Sequence, residues 1–164
     1  MMQIQSWFLL LFTFITMGWT NMHADEPELL TFTPPSGWHV AESDKLSPHV
    51  KVLVIGPTET AFPPSINLCV EAFSGDPSEY LDIVKSINSK QGSEWKNLGT
   101  LKTQSGEGNL SQVDLNTQWG TVRMMHVILC QKEQVYILTA AALKEEFPKF
   151  YKTFFTALRS LKAS

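Results

Sequence analysis

Charge is missing from the start of this chain. No Asp, Glu, Lys or Arg occurs before Asp25 in its 164 residues. The stretch Trp7 to Met17 reads WFLLLFTFITM and is apolar apart from Thr13 and Thr16. Cysteine is scarce, with only Cys69 and Cys130, which excludes a disulfide-dense scaffold and any CxxC pair. A dominant charge sign is absent too: 13 basic against 16 acidic residues give a net charge of −3, which supplies no electrostatic footprint for nucleic acid. No second apolar run approaches the ~18–20 residues of a spanning helix, and no internal repeat is visible. GxSxG, GxxxxGK, HExxH and EF-hand patterns are all lacking, so no catalytic residue, cofactor or metal ligand is assigned.

What remains is ordinary globular composition. Hydrophobic residues make up 43% and charged residues 18%, enough for one domain with a real core. The uncharged opening segment, with Ala24 followed by Asp25-Glu26-Pro27, reads as a secretory signal peptide over residues 1–24. A single domain over 25–164 then follows. The n-region has no Lys or Arg, and an uncleaved anchor is the competing reading, with Trp7 and Trp19 at the two interfaces. Either way the domain is expected outside the cytoplasm, periplasmic or secreted, touching a membrane only if the leader stays.

In an exported chain, Cys69 and Cys130 raise a disulfide. A bridge would close a loop of roughly 60 residues, for which the chain-entropy model assigns about 4 kcal/mol. Two separate buried thiols are the alternative. Alternation over Ser65–Phe73 puts Ile66, Leu68, Val70 and Ala72 on one face and Asn67, Cys69 and Glu71 on the other, so Cys69 is buried only if something covers that second face.

Local patterns mark the elements. Val50–Ile55 is β-branched and ends at Gly56-Pro57. Asp76-Pro77-Ser78-Glu79 is a capping-box start for a helix whose apolar face is Tyr80, Leu81, Ile83, Val84 and Ile87, with Gly92 as its stop. Residues 95–142 read as an antiparallel meander, with strands near 96–104, 109–118, 121–131 and 134–142 and turns at Gly106-Glu107-Gly108, Trp119-Gly120 and Lys132-Glu133. The third of these is apolar on both faces, so it should be central and doubly covered. Phe147, Phe150, Tyr151, Phe154, Phe155, Leu158 and Leu161 form a broad aromatic stripe on a last helix, with Pro148 in its first turn. The fold class that follows is α+β, an antiparallel sheet of about six to seven strands between helices.

Chemistry-bearing residues are scattered. His39, His49 and His126 have no paired spacing, and Met124, His126 and Cys130 share a strand face that core packing explains more simply than copper does. Asn109-Leu110-Ser111 is a glycosylation sequon set inside a strand. Trp95 and Trp119 are the large side chains least like core, and Trp is enriched where partners bind, so they are the candidate contacts.

Several short motifs together resemble the PsbP-like superfamily, whose members include an extrinsic photosystem subunit, a Ran-binding nuclear import factor and bacterial envelope proteins. They are Pro35-Ser36-Gly37-Trp38, Ile66-Asn67-Leu68-Cys69-Val70-Glu71, Ser78-Glu79-Tyr80-Leu81, Val135-Tyr136-Ile137-Leu138-Thr139-Ala140 and the Leu158-Arg159-Ser160-Leu161 end. The resemblance spans nearly all of 31–162 and implies the fold above and a non-catalytic adaptor, assembly or chaperone-like role. It brings no photosystem-contact residue. The expected function is an exported, non-catalytic envelope binding or assembly factor whose partner is another envelope or secreted protein. Two alternatives stand beside it: a small-ligand binder or hydrolase with a loop-built cleft using His39 or His49, and a permanent structural subunit of an envelope complex.

Overall fold

A computed structural model describes residues 29–163, so the expected leader over 1–24 lies outside the described residues. The described residues form nine strands and two α-helices: β1 Leu30–Thr31, β2 His39–Val40, β3 Val50–Ile55, β4 Ser65–Ala72, α1 Pro77–Lys90, β5 Glu94–Thr103, β6 Gly106–Thr117, β7 Gly120–Gln131, β8 Gln134–Leu143, α2 Phe147–Arg159 and β9 Lys162–Ala163. Seven strands make one antiparallel sheet in the order β2-β3-β4-β8-β7-β6-β5, and β1 pairs with β9 in a small second sheet. The class is α+β, as the patterning requires.

The meander forms because its turns are short and its strands alternate. Lys132 and Glu133 both take positive φ (49° and 60°), the twist that a tight two-residue hairpin needs. The turn expected at Gly106-Glu107-Gly108 sits earlier: the chain reverses at residues 104–105 and β6 already begins at Gly106. β7 and β8 lie at the centre. Met125, Val127 and Leu129 of β7 pack on one face with Phe147, Phe154, Phe155 and Leu158 of α2. Ile128 and Cys130 pack on the other face beneath Tyr80, Leu81 and Val84 of α1. The sheet is therefore sandwiched by helices.

Each helix begins for a local reason. Asp76 accepts from the Ser78 N–H at 2.8 Å while Glu79 reaches back to the Asp76 N–H at 3.2 Å, the expected capping box. In α2, Pro148 occupies the first turn, where its missing N–H leaves no bond unmade. Two residues depart from the expected apolar faces. Ile83 is 42% and Tyr151 53% exposed, because each apolar stripe is wider than the surface its helix can press on the sheet.

Phe154 anchors the α2 face. It is fully buried, with Phe147, Phe150 and Trp38 ring centroids at 5.0, 5.8 and 6.0 Å. Trp38 in turn lies over Gly56, where a Cβ would meet the indole at 2.7 Å, so no larger residue fits without displacing the ring. Phe154→Ala is expected to destabilise the domain by about 3–5 kcal/mol in chemical denaturation. Tyr151→Ala, which loses only the ring contact with Phe155 at 4.4 Å, should cost no more than about 1.5 kcal/mol. Equal effects of the two would contradict the assignment of buried and exposed sides.

Candidate functional site

The sheet face beneath α1 divides into three zones. One end is apolar and roofed by α1, with Cys69, Ile128, Val135 and Ile137 under Tyr80. The far end is apolar as well: Val113, Val122, Met124, Ala141 and Leu143 pack with Phe62, Trp95, Leu115 and Trp119, and no residue of α1 or α2 joins this cluster. Between them runs a polar belt. Asn67 of β4 stands opposite Thr139 of β8, Thr139 opposite His126 of β7, His126 opposite Ser111 of β6, and Ser111 opposite Asn97 of β5. All but the edge residue Asn97 are buried.

A buried polar group left without a partner costs about 1–3 kcal/mol. Part of the belt avoids that cost. His126 Nδ1 and Thr139 Oγ1 share a hydrogen bond of 2.9 Å, and the Cys69 thiol donates to Asn67 Oδ1 at 3.6 Å. Burial holds His126 down at about 4, so its ring is neutral at physiological pH. Ser111 Oγ, in contrast, is buried and has no hydrogen-bond partner among the described residues.

Beside the belt, under the first turn of α1, the Tyr80 hydroxyl donates to Glu71 Oε2 at 2.9 Å. Burial pushes Glu71 up to about 7, partly offset by that hydrogen bond. Burial, then the charge of Glu71, pushes the Cys69 thiol up to about 12, and burial raises Cys130 too. Neither sulfur is a thiolate at neutral pH, so neither is poised for nucleophilic or redox work. The proposed Cys69–Cys130 bridge is corrected here: both cysteines are free. β8 lies between their strands, and two strand spacings of about 4.8 Å already exceed the ~7 Å a disulfide spans. The alternative, separate buried thiols, holds for Cys69, because α1 covers the face on which alternation places it.

The other candidates are distributed as follows. Trp95 lies within β5, opposite Val113, and Trp119 lies in the β6–β7 turn with Phe62 at 6.5 Å. Both are half-buried, more core-like than expected, yet they share one apolar end of the sheet. His39 and His49 are exposed and sit at the β2–β3 side, so the structure does not bring them to His126. Met124, His126 and Cys130 do share a face of β7, but Met124 belongs to one apolar cluster and Cys130 packs against the other. The sequon is closed in the folded domain: Asn109 Nδ2 donates to Asn97 Oδ1 and to the Gly99 carbonyl at 3.1 and 3.2 Å, and Ser111 is buried. The belt itself was missed by motif reading. Its signal was one polar residue in each of several apolar strands, and only the register aligns them.

On the opposite face, Asp114 is gripped by the Arg123 guanidinium at 2.9 and 2.8 Å and by Lys144 at 3.0 Å. This pairing holds its carboxyl down at about 2. One buried carboxylate held by two cations, in a hydrogen-bonded pair across neighbouring strands, reads as structural.

No protein-family model matches the chain, and no curated protein sequence matches it. Solved structures share its fold. Cyanobacterial PsbP (CyanoP) from Synechocystis sp. PCC 6803 superposes with a TM-score of 0.58 at 10% identity, covering 91% of this chain and 98% of that one. LpqN, involved in cell envelope biogenesis of Mycobacterium tuberculosis, gives 0.59 at 16% identity over 85% of this chain and 86% of that one. A protein of unknown function from Pseudomonas aeruginosa, PA94, described as a putative regulator, gives 0.59 at 14% identity over 82% of this chain and 97% of that one. The fold is PsbP-like. Among the described residues, no helix is long and apolar enough to cross a membrane.

Two outcomes follow. Denatured, unreduced protein should titrate two thiols per chain; none would restore the bridge. The pH dependence of stability should show two opposing slopes. His126, shifted from 6.5 to about 4, leaves the unfolded chain binding a proton that the folded chain refuses, so its contribution is lost as pH falls through that window. That loss reaches about 3 kcal/mol. Glu71, shifted from 4.5 to about 7, has the opposite sign: the folded chain keeps a proton that the unfolded chain lacks, so its contribution is present at low pH and lost as pH rises towards 7. The two offset each other between 4.5 and 6.5, and the native curve should be nearly flat there. Glu71→Gln should expose a steady loss of stability on acidification, measured by urea unfolding at several pH values. An unchanged curve would contradict the buried, raised carboxyl.

Proposed function

We propose that the chain is an exported, non-catalytic binding or assembly factor of the cell envelope, acting on another exported protein. The observation that carries this reading is the apolar end of the sheet that neither α1 nor α2 joins. Phe62, Trp95, Leu115 and Trp119 cap that end while remaining only partly buried. Large aromatic side chains held on a rigid sheet and partly open to solvent are the composition of a binding hot spot. The two Trp residues expected as contacts from sequence sit together there. The PsbP-like fold supports the reading by analogy only, as does the envelope-biogenesis role stated for LpqN. Export rests on the leader over 1–24, with cleavage after Ala24.

A photo-crosslinking residue placed at Trp119 should capture one exported protein reproducibly in the producing cell. The same residue at Tyr151, on α2 and the other side of the sheet, should not. Phe62→Ala should reduce capture at position 119 several-fold. Equal capture at both positions, or none at either, would argue against the site. N-terminal sequencing of the mature protein should begin at Asp25; an intact Met1 start would favour the anchor.

A further inference from the structure

Three unpartnered polar atoms gather where the belt reaches β5 and β6. Trp95 Nε1, Ser111 Oγ and Asn109 Oδ1 are all buried without a hydrogen-bond partner among the described residues. The register places them on one face: Ser111 pairs with Asn97, Trp95 precedes Asn97 by two residues on β5, and Asn109 precedes Ser111 by two on β6. Ser111 is 0% exposed. The Asn109 amide cannot simply be turned round. Its nitrogen faces two acceptors, Asn97 Oδ1 and the Gly99 carbonyl, so a flip would set oxygen against oxygen. Oδ1 is therefore the atom left over.

The adjoining edge is opened by a bulge. Pairing shifts register between Asn97 and Gly99, Gly99 takes φ +96°, and its N–H is held by Asn97 Oδ1 at 2.9 Å. Asn97, Leu98 and Gly99 are exposed, so the three atoms lie just inside an accessible rim. Bulges at sheet edges commonly end pairing and re-aim side chains at a site.

The chemistry of the missing partner is restricted. The belt contains no charged side chain and His126 is neutral, so an ionised ligand would be desolvated without a counter-charge. Trp95 can only donate, Asn109 Oδ1 can only accept, and the Ser111 hydroxyl does either. Successive main-chain amides supply the matching acceptors and donors in neutral groups. The three rows are also two residues apart, about 6.8 Å, which is the repeat of alternate residues in an extended chain. The apolar end beside them offers contact for the neighbouring side chains.

We propose that this end of the belt holds an uncharged, extended main-chain segment of the partner protein, its carbonyl on Trp95 Nε1 and its N–H on Asn109 Oδ1, with Ser111 closing the site. This rests on the binding-factor reading and names what that partner presents. The test is a titration of 15N-labelled protein with N-methylacetamide and with acetyl-Ala-Leu-Ala-methylamide, observing the Trp95 indole N–H. Trp95→Phe assigns that resonance by its loss. The expected result is a saturable shift of Trp95 alone, tighter for the capped peptide than for the small amide. Ser111→Ala should weaken peptide binding about fivefold, the loss of one neutral hydrogen bond. It should leave the melting temperature unchanged or higher, since it removes a buried unpaired hydroxyl.

No saturable shift, or equal affinity in Ser111→Ala, would overturn the proposal. Saturation by N-methylacetamide but not by the peptide would assign a free small amide instead. A water cross-peak on the Trp95 N–H that the peptide does not displace would assign a buried water only. Capture at Trp119 with a silent Trp95 resonance would sink this inference while leaving the binding-factor reading standing.

Discussion

Strands that are apolar on both faces have to be covered twice, and β7 and β8 impose that on everything else. Val127 and Leu129 look one way, Ile128 and Cys130 the other, with Leu138 and Ile137 doing the same on β8. Neither strand could stand at an edge or in an open sheet without exposing a large apolar strip. Two helices on opposite faces follow from this, and so does the central position of the β7–β8 pair in the order β2-β3-β4-β8-β7-β6-β5. α2 meets the demand with aromatic bulk, Phe154 against Trp38 and Trp38 against Gly56.

α1 meets it only in part. It presents Tyr80, Leu81 and Val84 to one end of its face, and the remaining apolar end is capped by Phe62, Leu115 and two Trp rings. That division is what leaves Phe62, Trp95, Leu115 and Trp119 only partly buried. The polar belt runs between the two apolar ends, where a row of five aligned polar side chains, four of them buried, would ordinarily be a fault in a core. Its tolerated half is the His126–Thr139 and Cys69–Asn67 pairs, and its untolerated half is Ser111. Unpaired groups that persist in a well-packed sheet mark where stability has been given up for something else.

Burial also sets the charge state of this face. His126 loses its proton and Glu71 keeps one over much of the same pH range, both because a charge there would be desolvated. The face is thus electrically quiet in mildly acidic solution, between the two shifted values, in contrast to the opposite face, where Arg123 and Lys144 both hold the Asp114 carboxylate. The belt itself carries no charged side chain, and a hydrogen-bonding row flanked by aromatics suits recognition by shape and main-chain groups more than by charge.

Local signals in the sequence were enough for the elements themselves. The Asp76–Glu79 capping box, Pro148, the alternation along β3 to β8 and the paired hairpins are short-range effects of backbone and side-chain geometry, and they stand where they were expected within a few residues. So was the α+β class, because double-sided strands admit few architectures, and the PsbP-like motifs agreed with it. Pairing order lay beyond those signals. It decided that β8 separates Cys69 from Cys130, that α1 reaches far enough to bury Cys69 but not to roof Trp95 and Trp119, and that Asn67, Thr139, His126, Ser111 and Asn97 fall into one line. Alternation along a strand tells which face a side chain takes; its neighbour across the ladder depends on register between segments distant in the chain, and that is settled only when the whole sheet closes around its core.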